Sequence, residues 1–204
     1  MPMKYLELTV TEAVCRAQKK YYGRAAMITD AHERDSLTEA EADFIEARDS
    51  FYLSTVSDNG WPYIQHRGGP VGFLRVLNPT TLAFADYHGN RQLLSTGNIS
   101  SDDRVALFLM DYKKRERLKI LGHARVEDAR DHPELIEQLP EPSFQARTGR
   151  IFFINVVSFD WNCPKYITPR YSIGEVEELA GPLKARIAEL EEQLRTVNKT
   201  GVRL

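Results

Sequence analysis

Residues 50–69 read SFYLSTVSDNGWPYIQHRGG, and this stretch decides the fold. SFYLSTV is rich in aromatic and β-branched residues, which suit a pleated, half-buried surface. Asp58-Asn59-Gly60 supplies residues that tolerate positive φ, and WPYIQHR then runs back as a second extended segment. Strand, tight turn and strand make a β-hairpin.

The same texture continues outward. VGFLRVL (71–77), a break at Asn78-Pro79 and TLAFAD (81–86) predict a second strand pair. RVALFLMDY (104–112) is a strongly apolar strand, KKRE a charged turn, and RLKILGHARVED (117–128) a long strand. Gly122 in its middle marks a bulge or sharp bend. RIFFINVVSFDW (150–161) is the last strand. Six or seven antiparallel strands joined by hairpins predict a mainly β, α+β protein with a closed barrel or sandwich, not a parallel α/β sheet.

Helices are added to this core. Residues 9–22 and 36–48 carry helical patterns, and Thr38 with Glu41 fits a capping box. A short helix is expected at 131–138. Near the carboxy terminus, GEVEELAGPLKARIAELEEQLRTVN (174–198) places Leu183, Ile187, Leu190 and Leu194 on one face. Gly181-Pro182 reads as the start of that helix, since proline suits a first turn. A helix packed on its own barrel and a helix packed against a partner subunit both fit, because two heptads are too few to establish a coiled coil.

The chain has 204 residues, enough for one domain with appendages, and its 42% hydrophobic and 27% charged residues are ordinary for a globular protein. A net charge of −2 argues against a general nucleic-acid binder. Cys15 and Cys163 are too few for a disulfide scaffold. The first residues carry acidic side chains and no long apolar run, and no window reaches the roughly 20 apolar residues of a membrane span. A cytoplasmic protein is the expectation.

Four segments can carry chemistry. In QHRGGPVGF (65–73), Arg67 precedes Gly68 and Gly69, whose missing side chains let another body approach the backbone. An irregular edge strand is the plainer alternative. In DYHGNRQLL (86–94), Gly89 ends a loop, Asn90 can cap a helix and Arg91 follows, so an anion can dock at the helix start. Taken alone, an ordinary cap beside a solvated arginine is the plainer reading. Arg117 and Lys119 share one strand face and suit either an anion or solvent. Trp161, Asn162, Cys163 and Lys165 cluster after the last strand; Trp161 can stack on a flat ring, and Cys163 has no base beside it. The five histidines show no metal-ligand spacing, so no metal is expected, and no nucleotide-binding or hydrolase signature occurs.

Each piece is weak alone, but their order is not. FYLSTV through DNGWPYIQHRGG, a second strand pair, GNR opening a helix, and RLKILGHARV together resemble the pyridoxamine 5′-phosphate oxidase-like family over about residues 38–170. HRGGPVGFL, GNRQ and WNCPKYI resemble a branch known only as oxidase-related flavoproteins. The resemblance implies an antiparallel split β-barrel that binds FMN. It implies three parts: an amino-terminal helical segment (1–49) on the barrel, an FMN-binding barrel domain (50–172) and a carboxy-terminal helix (173–204). By the same likeness, His66, Arg67, Gly68 and Gly69 lie along the flavin and ribityl chain. Gly89-Asn90-Arg91-Gln92 matches the Gly-Ser-Arg-Lys that grips the phosphate, with Gln92 in place of the lysine. Arg117 matches a position that reaches across a homodimer, and Trp161 is a further flavin contact. True oxidases of the family end in an arginine-containing segment that holds substrate. Arg203-Leu204 lacks that context, so oxidation of pyridoxamine phosphate is not expected.

The resemblance therefore implies an FMN-dependent oxidoreductase acting on a small molecule, a homodimer with flavin sites at the subunit interface and no catalytic acid or base that can be named. A positive group such as Arg67 or Arg117 would stabilise the charge a flavin gains on reduction. The alternatives are a flavin- or haem-binding module without turnover, a deazaflavin protein, or an interaction protein whose barrel has lost its ligand.

Overall fold

The computed structural model describes residues 3–28, 33–139, 142–145, 147–161 and 164–199. Asn162, Cys163 and the terminal Arg203-Leu204 lie outside them. In chain order the elements are α1 (Met3–Thr9), α2 (Glu12–Tyr22), α3 (Glu39–Glu46), β1 (Ser50–Val56), β2 (Pro62–Gly68), β3 (Leu74–Asn78), β4 (Thr81–Tyr87), α4 (Leu94–Ser101), β5 (Arg104–Asp111), β6 (Glu116–Asp128), α5 (Pro133–Glu137), α6 (Pro142–Gln145), β7 (Thr148–Trp161) and α7 (Ile173–Lys199). The chain divides into two compact units, one of residues 1–111 and 116–165, the other of residues 112–115 and 166–204. Among the described residues, no helix is long and apolar enough to cross a membrane.

The first unit holds one seven-stranded antiparallel sheet in the order β2-β1-β5-β6-β7-β4-β3. Period-2 alternation sorts its side chains: on β5, Val105, Leu107 and Leu109 are buried and Ala106, Phe108 and Met110 are half-exposed. The buried set meets rings from β1, β4 and β7. Phe84 packs 4.8 Å from Phe152 and 5.2 Å from Phe51, centroid to centroid. Phe51 lies on the second strand of the sheet order and Phe84 on the sixth, so the sheet curls until its two ends face each other. Arg67 of β2 also reaches Asp86 of β4 across that gap. Among the described residues no ladder joins β2 to β3 or β4, which leaves the barrel split.

Gly122 behaves as its position predicts. The β6–β7 register shifts between Leu121 and Gly122, and a Cβ there would lie 2.5 Å from the Asn155 carbonyl oxygen. The capping box also forms: the Thr38 N–H donates to Glu41 at the start of α3.

Two helix starts differ from expectation. Asn90 does not cap a helix, because α4 begins at Leu94 behind a left-handed Leu93. The Asn90 amide instead closes its own turn by accepting from the Gln92 N–H at 3.1 Å. The last helix does not start at Gly181-Pro182 but runs from Ile173 with Pro182 inside it. Its start is set by Ser172 and Glu175. The Ser172 N–H donates to the Glu175 carboxylate at 2.8 Å and the Glu175 N–H donates to Ser172 Oγ at 3.2 Å, which is a second capping box. Within this second unit, Lys113 lies 3.4 Å from Glu175 and the Arg170 guanidinium sits over the Tyr112 ring.

Candidate anion-binding cavity

A cavity with a volume of about 510 Å³ opens between β2, the end of β4 and the start of α4. On β2, Tyr63, Gln65 and Arg67 line it because residues two apart share a face. Asp86 and Tyr87 come from β4, Arg150 from β7, and residues 88–96 from the loop and first turn of α4. Side chains pin α4 in place. Ser95 Oγ donates to the Gln65 side-chain oxygen at 2.9 Å, and the Asn98 amide donates to Thr55 Oγ1 at 2.9 Å.

Charge is concentrated here. Asp86 is buried and bridges two arginines, accepting from Arg67 at 2.5 Å and from Arg150 at 2.7 Å. Burial pushes the Arg67 guanidinium down from its usual value, and Asp86 opposes that shift. The guanidinium also lies 5.0 Å from the Phe152 ring centroid, so it is held rigid between an aromatic face and a carboxylate. Arg91 is exposed at the cavity mouth. Three arginines and one carboxylate thus line the cavity. Two buried polar atoms of lining residues, Arg67 Nε and Tyr87 Oη, have no partner. Burial pushes the Tyr87 hydroxyl up to about 12, so it stays protonated near neutrality.

The backbone of the loop is strained. Arg91 at φ 61° and Leu93 at φ 54° are left-handed without being glycine, a conformation that costs on the order of 1–3 kcal/mol each and clusters at ligand clamps. No side chain caps α4. Its first N–H groups and positive dipole end therefore stand at the cavity wall formed by Leu94, Ser95 and Thr96.

The site residues expected from sequence separate into two groups. Arg67, Asn90, Arg91 and Gln92 come together on the cavity. His66 is exposed on the opposite face of β2, where its ring meets Tyr52 edge-on. Gly68 and Gly69 follow the lining part of β2, and Gly69 also has an internal reason to be glycine, since a Cβ there would lie 2.7 Å from the Phe73 ring. Arg117 sits on the outer face of β6 over Phe108, away from this cavity, with its Nε buried and unpartnered. Trp161 packs edge-on against Phe44, 4.7 Å between centroids, and its indole N–H donates to Glu41 at 2.7 Å. Sequence reasoning missed Tyr63, Gln65, Asp86, Tyr87 and Arg150. Period-2 spacing back from Arg67 reaches the first two, and the charges embedded in the apolar runs TLAFAD and RIFF point to Asp86 and Arg150.

A family model described as pyridoxamine 5′-phosphate oxidase matches residues 37–150, more than half of the chain. Among solved structures, HupZ of Group A Streptococcus is 12% identical over 66% of this chain and 99% of its own, with a TM-score of 0.48. General stress protein 26 of Bacillus anthracis is 16% identical over 58% and 88%, with a TM-score of 0.45. An FMN-binding protein of Syntrophomonas wolfei is 13% identical over 60% and 86%, with a TM-score of 0.42. No curated relative matches the sequence.

Proposed function

The chain belongs to the pyridoxamine 5′-phosphate oxidase family, and from that premise we propose that it is a cytoplasmic FMN-binding flavoprotein, an FMN-dependent oxidoreductase for a small molecule. It works as a homodimer with flavin sites at the subunit interface. One observation carries the reading: three guanidiniums and the uncapped start of α4 converge on a cavity whose charged lining includes a single carboxylate. A phosphate-bearing ligand is what that arrangement selects.

The residues fit such a group. The cavity volume falls within the range of about 300–1,000 Å³ usual for small-molecule sites, and Arg67, Arg91 and Arg150 on its wall against the single carboxylate of Asp86 suit an anionic ligand. Arg91, Asn90, Gln92 and the free N–H groups of residues 94–96 hold the phosphate. Arg67 and the β2 backbone through His66, Gly68 and Gly69 run along the ring. Arg117 is supplied to this site by the partner subunit, which accounts for its position away from the cavity of its own chain. When bound, FMN supplies hydride and electron transfer. The chain supplies orientation and a positive field, with Asp86 keeping Arg67 and Arg150 fixed in their rotamers.

The test is the visible spectrum of the purified protein with added FMN, taken before and after addition of NADH or NADPH. Bound flavin that is bleached supports the oxidoreductase. Bound flavin inert to both nicotinamides overturns that half and leaves a binding module. Failure to retain FMN overturns the whole reading.

A further inference from the structure

The start of α7 changes what its apolar residues mean. A helix beginning at Pro182 holds two heptads; a helix beginning at Ile173 holds more than three. Over that length the pattern repeats strictly every seven residues. Ile173, Ala180, Ile187 and Leu194 occupy the a positions, and Val176, Leu183, Leu190 and Val197 the d positions. All eight are apolar. Seven of them are large hydrophobic residues exposed to solvent, along a helix about 40 Å long. A stripe this regular exceeds what a surface helix needs, and a strict heptad is the signature of a left-handed coiled coil.

We propose that α7 pairs in parallel with α7 of a second copy of this chain. Three features select that occupant and orientation. In the middle of the helix Leu183 and Leu190 hold d and Ile187 holds a, the combination that favours two parallel strands, with the reverse order only in the last heptad at Leu194 and Val197. Arg186 falls at g and Glu191 at e, five residues on, so each Arg186 meets the partner subunit's Glu191 across the seam. Arg186 is now held only by an exposed bond to Glu189, which is weak enough to exchange. Pro182 falls at c, so its ring stands off the seam, and the backbone bond it removes is the one to the Glu178 carbonyl on the outer face. The outward positions b, c and f include Glu175, Glu178, Glu189, Glu192 and Arg195 and no large apolar residue, as a solvated back requires. The pairing does not depend on the flavin reading.

Site-directed cross-linking tests it in the full-length chain with Cys15→Ser and Cys163→Ser as background. Leu190→Cys places a thiol at a d position, where parallel partners face each other at the same level; Glu192→Cys places one at f, on the solvated back. Mild oxidation is expected to convert the Leu190→Cys protein to a covalent dimer and to leave the Glu192→Cys protein monomeric on a denaturing gel. Adding Arg186→Glu to Leu190→Cys slows the link, and the further exchange Glu191→Arg restores it. Absence of a link at position 190, as intrachain packing or an antiparallel pair would give, overturns the proposal, and so does equal linking at 190 and 192.

Discussion

Two buried carboxylates of the barrel unit live in opposite circumstances. Asp86, at the cavity, is held by two arginines, and a third guanidinium and two orphaned donors stand nearby. Glu41, in the first turn of α3, is held by neutral donors: the Thr38 N–H and hydroxyl on one oxygen and the Trp161 indole on the other. One end has more positive charge and more donors than its own residues can use. The other end is closed and satisfied. A surplus that folding does not consume is available to a ligand, whereas a satisfied network serves only to join helix to sheet.

That contrast can be broken at either end. Asp86→Ala leaves Arg67 buried without its counter-charge, and a broken buried pair costs about 3–5 kcal/mol. Urea unfolding is the measurement; a loss below about 1 kcal/mol would mean that Arg67 does not depend on Asp86. Trp161→Phe keeps the ring against Phe44 and removes the donor to Glu41, for a loss of about 1–3 kcal/mol. FMN titration of the same variant should show unchanged affinity. Weakened binding would identify Trp161 as a flavin contact.

The smallest effect concerns pH. Burial pushes the Glu41 carboxyl up, but the hydrogen bonds from the Thr38 side chain, Trp161 and the Thr38 backbone outweigh it and hold its pKa below the ordinary value. The unfolded chain therefore takes up the proton first as pH falls. Glu41 contributes stability above the ordinary carboxylate pKa of about 4.3, and the contribution is lost as pH drops through the lower folded value. The stability gap between the natural chain and Glu41→Gln should be largest near neutrality and shrink in acid. A gap that stays constant from pH 7 to about pH 3 would contradict this.

The sheet was legible because strands declare themselves locally. Alternation, the Asp58-Asn59-Gly60 turn and Gly122 each carry a signal within a few residues. The Thr38–Glu41 box was equally local. The same motif at Ser172–Glu175 was masked by Gly181-Pro182, which resembles a helix start more strongly although the helix runs through it. The left-handed backbone at Arg91 and Leu93 has no sequence signature, so the sequence points to Asn90 as the cap, three residues before the actual cap at Leu93. Trp161 and Glu41 are 120 residues apart, and no period links them. The cavity was half legible: Arg67 and Arg91 stood out beside glycines, whereas Asp86 and Arg150 sit within hydrophobic runs and acquire their role only when the sheet curls.

The central claim is that the loop carrying Arg91 binds the phosphate of FMN. Titration of the apo protein with FMN, comparing Arg91→Ala with the natural chain, tests it most directly. Loss of a charge-assisted contact worth about 1.5–3 kcal/mol predicts an affinity roughly 10- to 150-fold weaker. An unchanged dissociation constant would contradict the account.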